Sequence, residues 1–166
     1  DWLTYNWQLT SVPVGSLSVI ANPFAAITSF VPDLPGAYVA QLIVNDGFID
    51  SDPSQVQIQV ITELTAAILA AGDVQVQVTS LSPEVLKNAT MQNALLNKLN
   101  AVIASIDAGN YADALAKLQD DILPKTDGCA NSGAPDNNDW IEDCASQNLV
   151  YPFVLNAIAR VEALMN

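Results

Sequence analysis

The stretch GAYVAQLIVNDG at residues 36–47 decides the fold of the first part of this chain. It is an apolar, β-branched run that ends in Asp46-Gly47, a turn dipeptide in which glycine supplies the positive φ of a hairpin. The run SQVQIQV at 54–60 follows the turn with strict period two. One side of that second strand is therefore predicted to face a core. Its members are Val56, Ile58 and Val60.

The residues before this hairpin extend the β pattern towards the start of the chain. LTYNWQL at 3–9 alternates apolar and polar residues, and proline and glycine punctuate the connection to residue 36. The YNW strand at 5–7, the FVPDLPGAY corner at 30–38 and VNDG at 44–47 together resemble the polycystic-kidney-disease (PKD) family of immunoglobulin-like repeats. The resemblance covers about residues 1–61. It implies an antiparallel β-sandwich with Trp7 as its core tryptophan.

Complete PKD members carry two further strands upstream of the position that Asp1 occupies here. A sandwich without them would expose apolar faces and unpaired edges, so we expect it to recruit a strand. The strands are expected to come from another protein chain, or from a cleaved upstream portion of the same precursor, in the manner of donor-strand complementation. The alternative is that the start at Asp1 is arbitrary.

Composition changes at about residue 62, where alanine, leucine and asparagine become common and apolar spacing shifts towards 3.6. Gly72 is predicted to end a first helix. The valines within 73–81 alternate as in a strand but lie between helical segments, so helix or irregular structure is favoured there and strand stays the alternative. Ser82 and Pro83 are predicted to start a helix as N-cap and first helical residue. The last helix is predicted to hold Pro152 in its first turn. The predicted helices are 63–71, a short one from 82, about 90–107, 110–123 and about 148–165.

This second part also resembles a known module. The strings NALLNKLNA at 93–101, AGNY at 108–111, LQDDILPKTDGC at 118–129 and APDNNDWIEDC at 134–144 are similar to FIMAH domains. That resemblance covers about 70–165, and the module recurs at the C-termini of secreted and cell-surface bacterial proteins. It implies an extracellular or cell-surface location and no particular activity. The predicted fold class is therefore α+β in two domains, a partial immunoglobulin-like sandwich (1–61) and a small disulfide-linked helical bundle (62–166).

Cys129 and Cys144 are the only cysteines. An even count in an apparently secreted chain predicts one disulfide, which would contribute roughly 3 kcal/mol in the chain-entropy account. The alternative, a metal or redox pair, is disfavoured because two thiolates without histidine or a CxxC spacing make a poor zinc site.

Charge and composition exclude several classes of function. The net charge of −13 comes from 18 acidic and 5 basic residues, which disfavours nucleic acid and anionic membranes as partners. The apolar runs are too short for membrane insertion. There is no histidine, so Ser-His-Asp and Cys-His catalysis within this chain are excluded. No catalytic residue is predicted, and the chain is expected not to be an enzyme.

Two acidic clusters are candidate Ca²⁺ sites, because carboxylate and amide oxygens are the ligands that Ca²⁺ takes. No other cofactor is expected. The alternative reading makes the first cluster an Asx-stabilised turn, and makes Asp136 or Asn138 the cap of a short helix containing Trp140. The candidates are Asp46, Asp50 and Asp52 in the first cluster, and Asp136, Asn138 and Asp139 in the second.

These observations predict a non-enzymatic structural, adhesive or assembly module that docks or displays other components outside the cell. Two alternatives stay open. One is an accessory substrate-binding domain of a secreted hydrolase, and the other is a calcium-stabilised spacer.

Overall fold

The computed structural model describes residues 2–166 and confirms an α+β chain. Its contacts divide the chain into two compact units, Asp1–Thr62 and Glu63–Asn166. The first, the β unit, contains an antiparallel sheet of three strands. The second, the helical unit, contains helices and a disulfide.

The sheet of the β unit has the order β1 (Thr4–Ser11), β2 (Gly36–Asn45) and β3 (Ser54–Val60). The register pairs Trp7 with Leu42 and Tyr38 with Ile58. Because side chains alternate along a strand, Val39 and Ile43 lie on one face of the sheet, and Trp7, Leu42, Tyr38 and Ile58 share the other. Tyr38 and Ala40, in the central strand, are the buried residues of this face.

Residues 12–35, here called the covering segment, lie over that face. The amide of Trp7 donates to the Pro23 carbonyl at 2.8 Å, and its indole Nε1 donates to the Ala25 carbonyl at 3.0 Å. Within the segment, Ile20 and Phe30 form an isolated antiparallel bridge. The cover is incomplete: Ile58 and Val60 are half-buried as predicted, but it leaves Val56 of the same strand 53% exposed, so the core position predicted for that residue was wrong.

The first helix of the helical unit, α1 (Glu63–Ser80), passes through Gly72, so the predicted end at that residue was wrong. Glycine costs about 1 kcal/mol in a helix interior, but tertiary packing decides helix length more than propensity does. Here Ala71, Val74 and Val78 are buried on both sides of the glycine. The alternating valines are therefore helical, with Val74 and Val78 inward and Val76 exposed.

The next elements agree with the prediction only in part. The segment from Ser82 makes only a 3₁₀ turn, Pro83–Val85, because Leu86 turns extended and bridges Ile141. Helix α2 (Met91–Asp107) forms as predicted. Helix α3 (Tyr111–Ala116) continues through a wide π-helical stretch, Lys117–Ile122, and a 3₁₀ turn, Leu123–Lys125.

The end of the chain differs from the sequence-based prediction in two places. A short helix, α4 (Gly128–Ser132), carries Cys129 and was not predicted. The last helix, α5 (Cys144–Ala163), begins before the predicted residue 148 because the Asp143 carboxylate caps it, accepting from the Ser146 amide at 2.9 Å. Pro152 consequently lies inside the helix, and its predicted place in the first turn was wrong.

The core of the helical unit lies where α1 packs against α2 and α5. Side chains spaced three and four residues apart supply it from each helix, as an amphipathic pattern requires. Leu118 and Ile122 add to it from the π-helical stretch. Among the residues that the structure describes, no helix has both the length and the apolar composition of a membrane span. The fully buried residues of α2 and α5 are Leu95, Leu99, Val102, Ile106, Val150, Val154, Ala157 and Val161.

Replacing Leu99 tests this core. Leu99 is fully buried, so Leu99→Ala is expected to lower the free energy of unfolding by about 2–5 kcal/mol through lost burial and the cavity left behind. The matched control, Leu149→Ala, removes a side chain that is 57% exposed and should change stability by less than about 0.5 kcal/mol. Urea unfolding followed by circular dichroism measures both. Equal losses would contradict the assigned core.

Candidate functional site

The predicted disulfide is confirmed. Cys129 in α4 and Cys144 at the start of α5 are joined, with their Cα atoms 5.4 Å apart. The buried Gln147 braces the same place, because its Oε1 accepts from the Cys129 amide and its Nε2 donates to the Ile141 carbonyl, both at 2.8 Å. Covalent and hydrogen-bonded links therefore hold the 129–144 loop to α5.

Asp139 is the structural centre of that loop. Its side chain is 1% exposed, and its carboxylate accepts from the Asp136 amide at 2.6 Å and from the Gly128 amide at 3.4 Å. Gly128 is required here by space, since a Cβ at that position would collide with the Asp139 carboxylate. A buried carboxylate that satisfies two amides is an internal brace of the loop.

The other two candidate ligands of this cluster are also engaged within the protein. Asp136 Oδ1 accepts from the Asn138 amide at 2.7 Å and from the Asp139 amide at 3.2 Å, which makes an Asx turn. Asn138 Oδ1 accepts from Lys125 Nζ at 2.5 Å. The predicted helix containing Trp140 does not form, so the capping interpretation was wrong. The turn leads instead into the bridge of Ile141 with Leu86.

A nearby carboxyl carries a perturbed pKa. The pKa of Asp127 is raised, first by burial and then by the neighbouring charges of Asp139 and Asp136, against a hydrogen bond from Asn131 that lowers it. A carboxyl that is easier to protonate in the folded state favours folding at low pH. That contribution is lost as the pH rises through the folded-state pKa.

Trp140 brings cations to the same loop. Lys98 Nζ and Lys125 Nζ lie 5.9 and 5.6 Å from its ring centroid, within cation–π range. Lys98 also forms a 3.2 Å ion pair with Asp121, and Lys87 Nζ donates to the Asn137 carbonyl at 2.7 Å. Three of the chain's five basic residues thus contact this loop through Trp140, Asn137 and Asn138, a feature that the linear spacing did not reveal.

The first acidic cluster lies in the loop between β2 and β3, here called the hairpin tip (residues 45–52). Asp46 Oδ1 accepts from the amides of Phe48 and Ile49 at 2.9 and 3.0 Å, and these bonds lower its pKa. Asp50 Oδ1 accepts from Asn45 Nδ2 at 2.7 Å. Gly47 has φ +94°, as the turn dipeptide predicted. The predicted turn is therefore present, with Asp46 and Asp50 bonded to it.

Neither acidic cluster takes the form of a multi-acid metal site. In the described part of the chain, no group of three or more His, Cys, Asp or Glu is arranged to hold a metal ion. The structure brings Asp136, Asn138 and Asp139 together, and it keeps Asp46, Asp50 and Asp52 on one loop. Calcium binding by either set stays a prediction.

A third surface, which sequence reasoning did not single out, is the outside of the covering segment. Leu17, Val19 and Val31 are all strongly exposed there and line one shallow depression. The alternation of serine with Leu17 and Val19 at 16–19 puts these two residues on one side of the segment, and by pattern alone that side would face a core, which is why sequence reasoning missed this surface.

A carboxylate links the two ends of the covering segment. Asp33 accepts from the Ser16 hydroxyl at 2.5 Å and from the Leu17 amide at 2.6 Å. These bonds hold the pKa of Asp33 far below its usual range. Tyr38 links the same corner to the sheet: its hydroxyl donates to the Leu34 carbonyl at 2.8 Å, and its ring lies 5.3 Å from that of Phe30.

Comparisons of the chain with protein-family models, with curated proteins and with solved structures gave no match. The resemblances to PKD and FIMAH domains therefore stay hypotheses that rest on the quoted motifs.

Removing the Asp139 carboxylate tests its role as a brace. Asp139→Ala leaves the amides of Asp136 and Gly128 without their buried acceptor, so the free energy of unfolding should fall by about 1–3 kcal/mol. The control is Asp120→Ala, an exposed acidic residue of the same unit, with an expected change of less than about 0.5 kcal/mol. Chemical unfolding in urea gives both values. An Asp139→Ala variant as stable as the native chain would refute the role of Asp139 as a brace.

Asp127→Asn tests the raised pKa. Ionised Asp127 opposes folding, so the variant should be more stable than the native chain at pH 7. The gain should shrink as the pH falls below the ordinary carboxyl pKa of about 4, where the native group is protonated in both states. Urea unfolding at pH 7 and at acid pH measures the difference, with Asp120→Asn as the control. A gain that persists unchanged at acid pH would rule out the electrostatic cause.

Proposed function

We propose that this chain is a non-enzymatic extracellular module, structural, adhesive or assembly-forming, whose β unit is an immunoglobulin-like sandwich completed by a strand from a second polypeptide. The sheet order supports this. An immunoglobulin constant-type sandwich has one sheet of strands C, F and G. The antiparallel order β1-β2-β3 corresponds to those three strands.

The observation that carries the proposal is the Tyr38 hydroxyl. In immunoglobulin domains a tyrosine near the start of strand F bonds back to the backbone a few residues upstream. Tyr38 stands near the start of β2, is fully buried, and both donates to the Leu34 carbonyl and accepts from the Leu34 amide at 3.1 Å. Trp7 in β1 occupies the strand that carries the sandwich tryptophan.

This correspondence also indicates where the added strand would lie. The second sheet of such a sandwich has the order A-B-E-D. The bridge between Ile20 and Phe30 takes the place of the D–E pair. The Ser29 carbonyl accepts from Ala21 on that side, so the backbone groups of Thr28 and Phe30 point to the opposite edge. That edge is where strand B pairs, and an incoming strand would satisfy its groups.

The surface chemistry is consistent with a covered edge. Val31, next to the proposed edge, is 81% exposed, and Leu17 and Val19 expose further apolar surface on the same segment. Contiguous apolar surface of this kind marks interaction sites in soluble proteins. Pairing with a strand from another chain is a known recognition mode for such edges.

The disulfide supports the extracellular location. Disulfides persist in oxidising compartments, and Cys129–Cys144 is formed here. The FIMAH resemblance of about 70–165 favours the same location. No specific contact favours the hydrolase-accessory or calcium-spacer alternatives, and both stay predictions.

The test is mass spectrometry of the protein purified from its native source, under native and denaturing conditions, with N-terminal sequencing of every species. We expect a second peptide that dissociates only on denaturation. Hydrogen exchange should then show the amides of Thr28 and Phe30 protected in the complex and faster once the peptide is removed. The amide of Ala40, in the central strand, is the internal control. A monomer of this chain alone, or strands carried covalently by a longer chain, would refute strand donation.

A further inference from the structure

The hairpin tip presents two large apolar side chains to solvent. Phe48 is 95% exposed and Ile49 is 72% exposed. An aromatic and a branched aliphatic side chain next to each other are typical anchors of a protein interface, where a few such residues supply most of the binding energy. Exposed to water in the isolated chain, these side chains only lower its solubility. Their exposure therefore indicates a surface that a binding partner covers.

The tip is held in one shape by its own hydrogen bonds. Besides the bonds to Asp46, the Gly47 amide donates to Asn45 Oδ1 at 2.6 Å. The base of the loop is closed by the Ser51 amide, which donates to the Val44 carbonyl at 2.7 Å, and by Ser51 Oγ, which accepts from the Val44 amide at 3.0 Å. Since the backbone is already ordered, binding through the two side chains would cost little further conformational entropy.

The charge around the tip indicates the chemistry of the occupant. Asp46 and Asp50 flank the two apolar residues in the chain, Asp52 follows two residues later, and residues 1–62 contain no lysine or arginine. Nothing in the β unit neutralises these carboxylates. A basic rim on the partner would both attract them and fix the orientation of docking.

We propose that the hairpin tip is a docking site for a protein surface that has an apolar pocket bordered by lysine or arginine. Phe48 and Ile49 fill the pocket, and the three aspartates meet its rim. A second copy of this chain is a poor occupant, because each copy carries a net charge of −13. Anionic membrane is disfavoured for the same reason.

This site is distinct from the proposed strand-binding edge. The tip belongs to the end of the sheet where Thr4 pairs with Asn45, whereas the edge belongs to Thr28 and Phe30 in the covering segment. The inference therefore does not depend on strand donation.

The experiment is an NMR titration of the ¹⁵N-labelled chain with a synthetic amphipathic peptide of alternating lysine and leucine. We expect amide shifts centred on residues 45–51 that weaken with added salt. The variant F48S/I49S should bind about tenfold or more weakly, as loss of an interface anchor predicts. The control L69A/L149A removes two exposed apolar side chains from the helical unit and should bind as the native chain does. All three proteins should melt alike.

Three results would overturn the proposal. One is unchanged binding by F48S/I49S. A second is equal binding of a lysine–serine peptide, which would reduce the effect to general charge attraction. The third is binding of phosphatidylcholine vesicles through residues 45–51 in place of the peptide, which would make the tip a lipid contact. None of these bears on a second peptide at Thr28 and Phe30, so the two proposals fail separately.

Discussion

The stability of the β unit depends on how the apolar face of its sheet is covered. One face of the three-stranded sheet carries Trp7, Tyr38 and Ile58, and a sheet can be stable in water only if such a face is packed against something. Residues 12–35 supply that packing without forming a second regular sheet. Tyr38 makes the arrangement hold, because its ring lies against Phe30 and its hydroxyl bonds the backbone of Leu34. The Asp33 carboxylate, bonded to Ser16 and Leu17, ties down the other side of the same corner.

The incomplete cover links the fold of the β unit to its proposed role. Regular pairing in the covering segment is limited to one bridge, so backbone groups at its edge and apolar side chains on its outside are left to solvent. Both features are liabilities in an isolated domain and useful in one that assembles with other chains. The hairpin tip adds a separate apolar surface whose shape comes from local hydrogen bonds rather than from packing.

The helical unit has a long loop to hold in place, and it does so by other means than the β unit. Its helices bury ordinary aliphatic side chains, and its long loop between Cys129 and Cys144 has few of them to bury. The loop is held instead by the disulfide, by the buried Asp139 carboxylate and by Gln147. Asp136 and Asp139, which suggested calcium, serve as acceptors for nearby amides, and Asn138 accepts from Lys125. Lys98 and Lys125 lie over the Trp140 ring of the same loop.

The sequence by itself determined the features that depend on neighbours along the chain. Period-two runs predicted β1 and β3, an apolar β-branched run predicted β2, Asp46-Gly47 predicted the turn, and apolar spacing predicted α2. The cysteine count predicted the disulfide correctly. Each of these rests on local backbone geometry, or on a chemistry with a single available partner.

Only the tertiary structure decided the features that depend on residues far apart. Gly72 stays helical because side chains on both sides of it are buried by other helices. Pro152 lies inside α5 because Asp143 starts that helix earlier. Asp139 became a brace because the fold brings Gly128 beside it, and Val56 stayed exposed because the covering segment leaves that part of β3 open. Burial and long-range hydrogen bonds are properties of the assembled fold, so a pattern of neighbouring residues does not contain them.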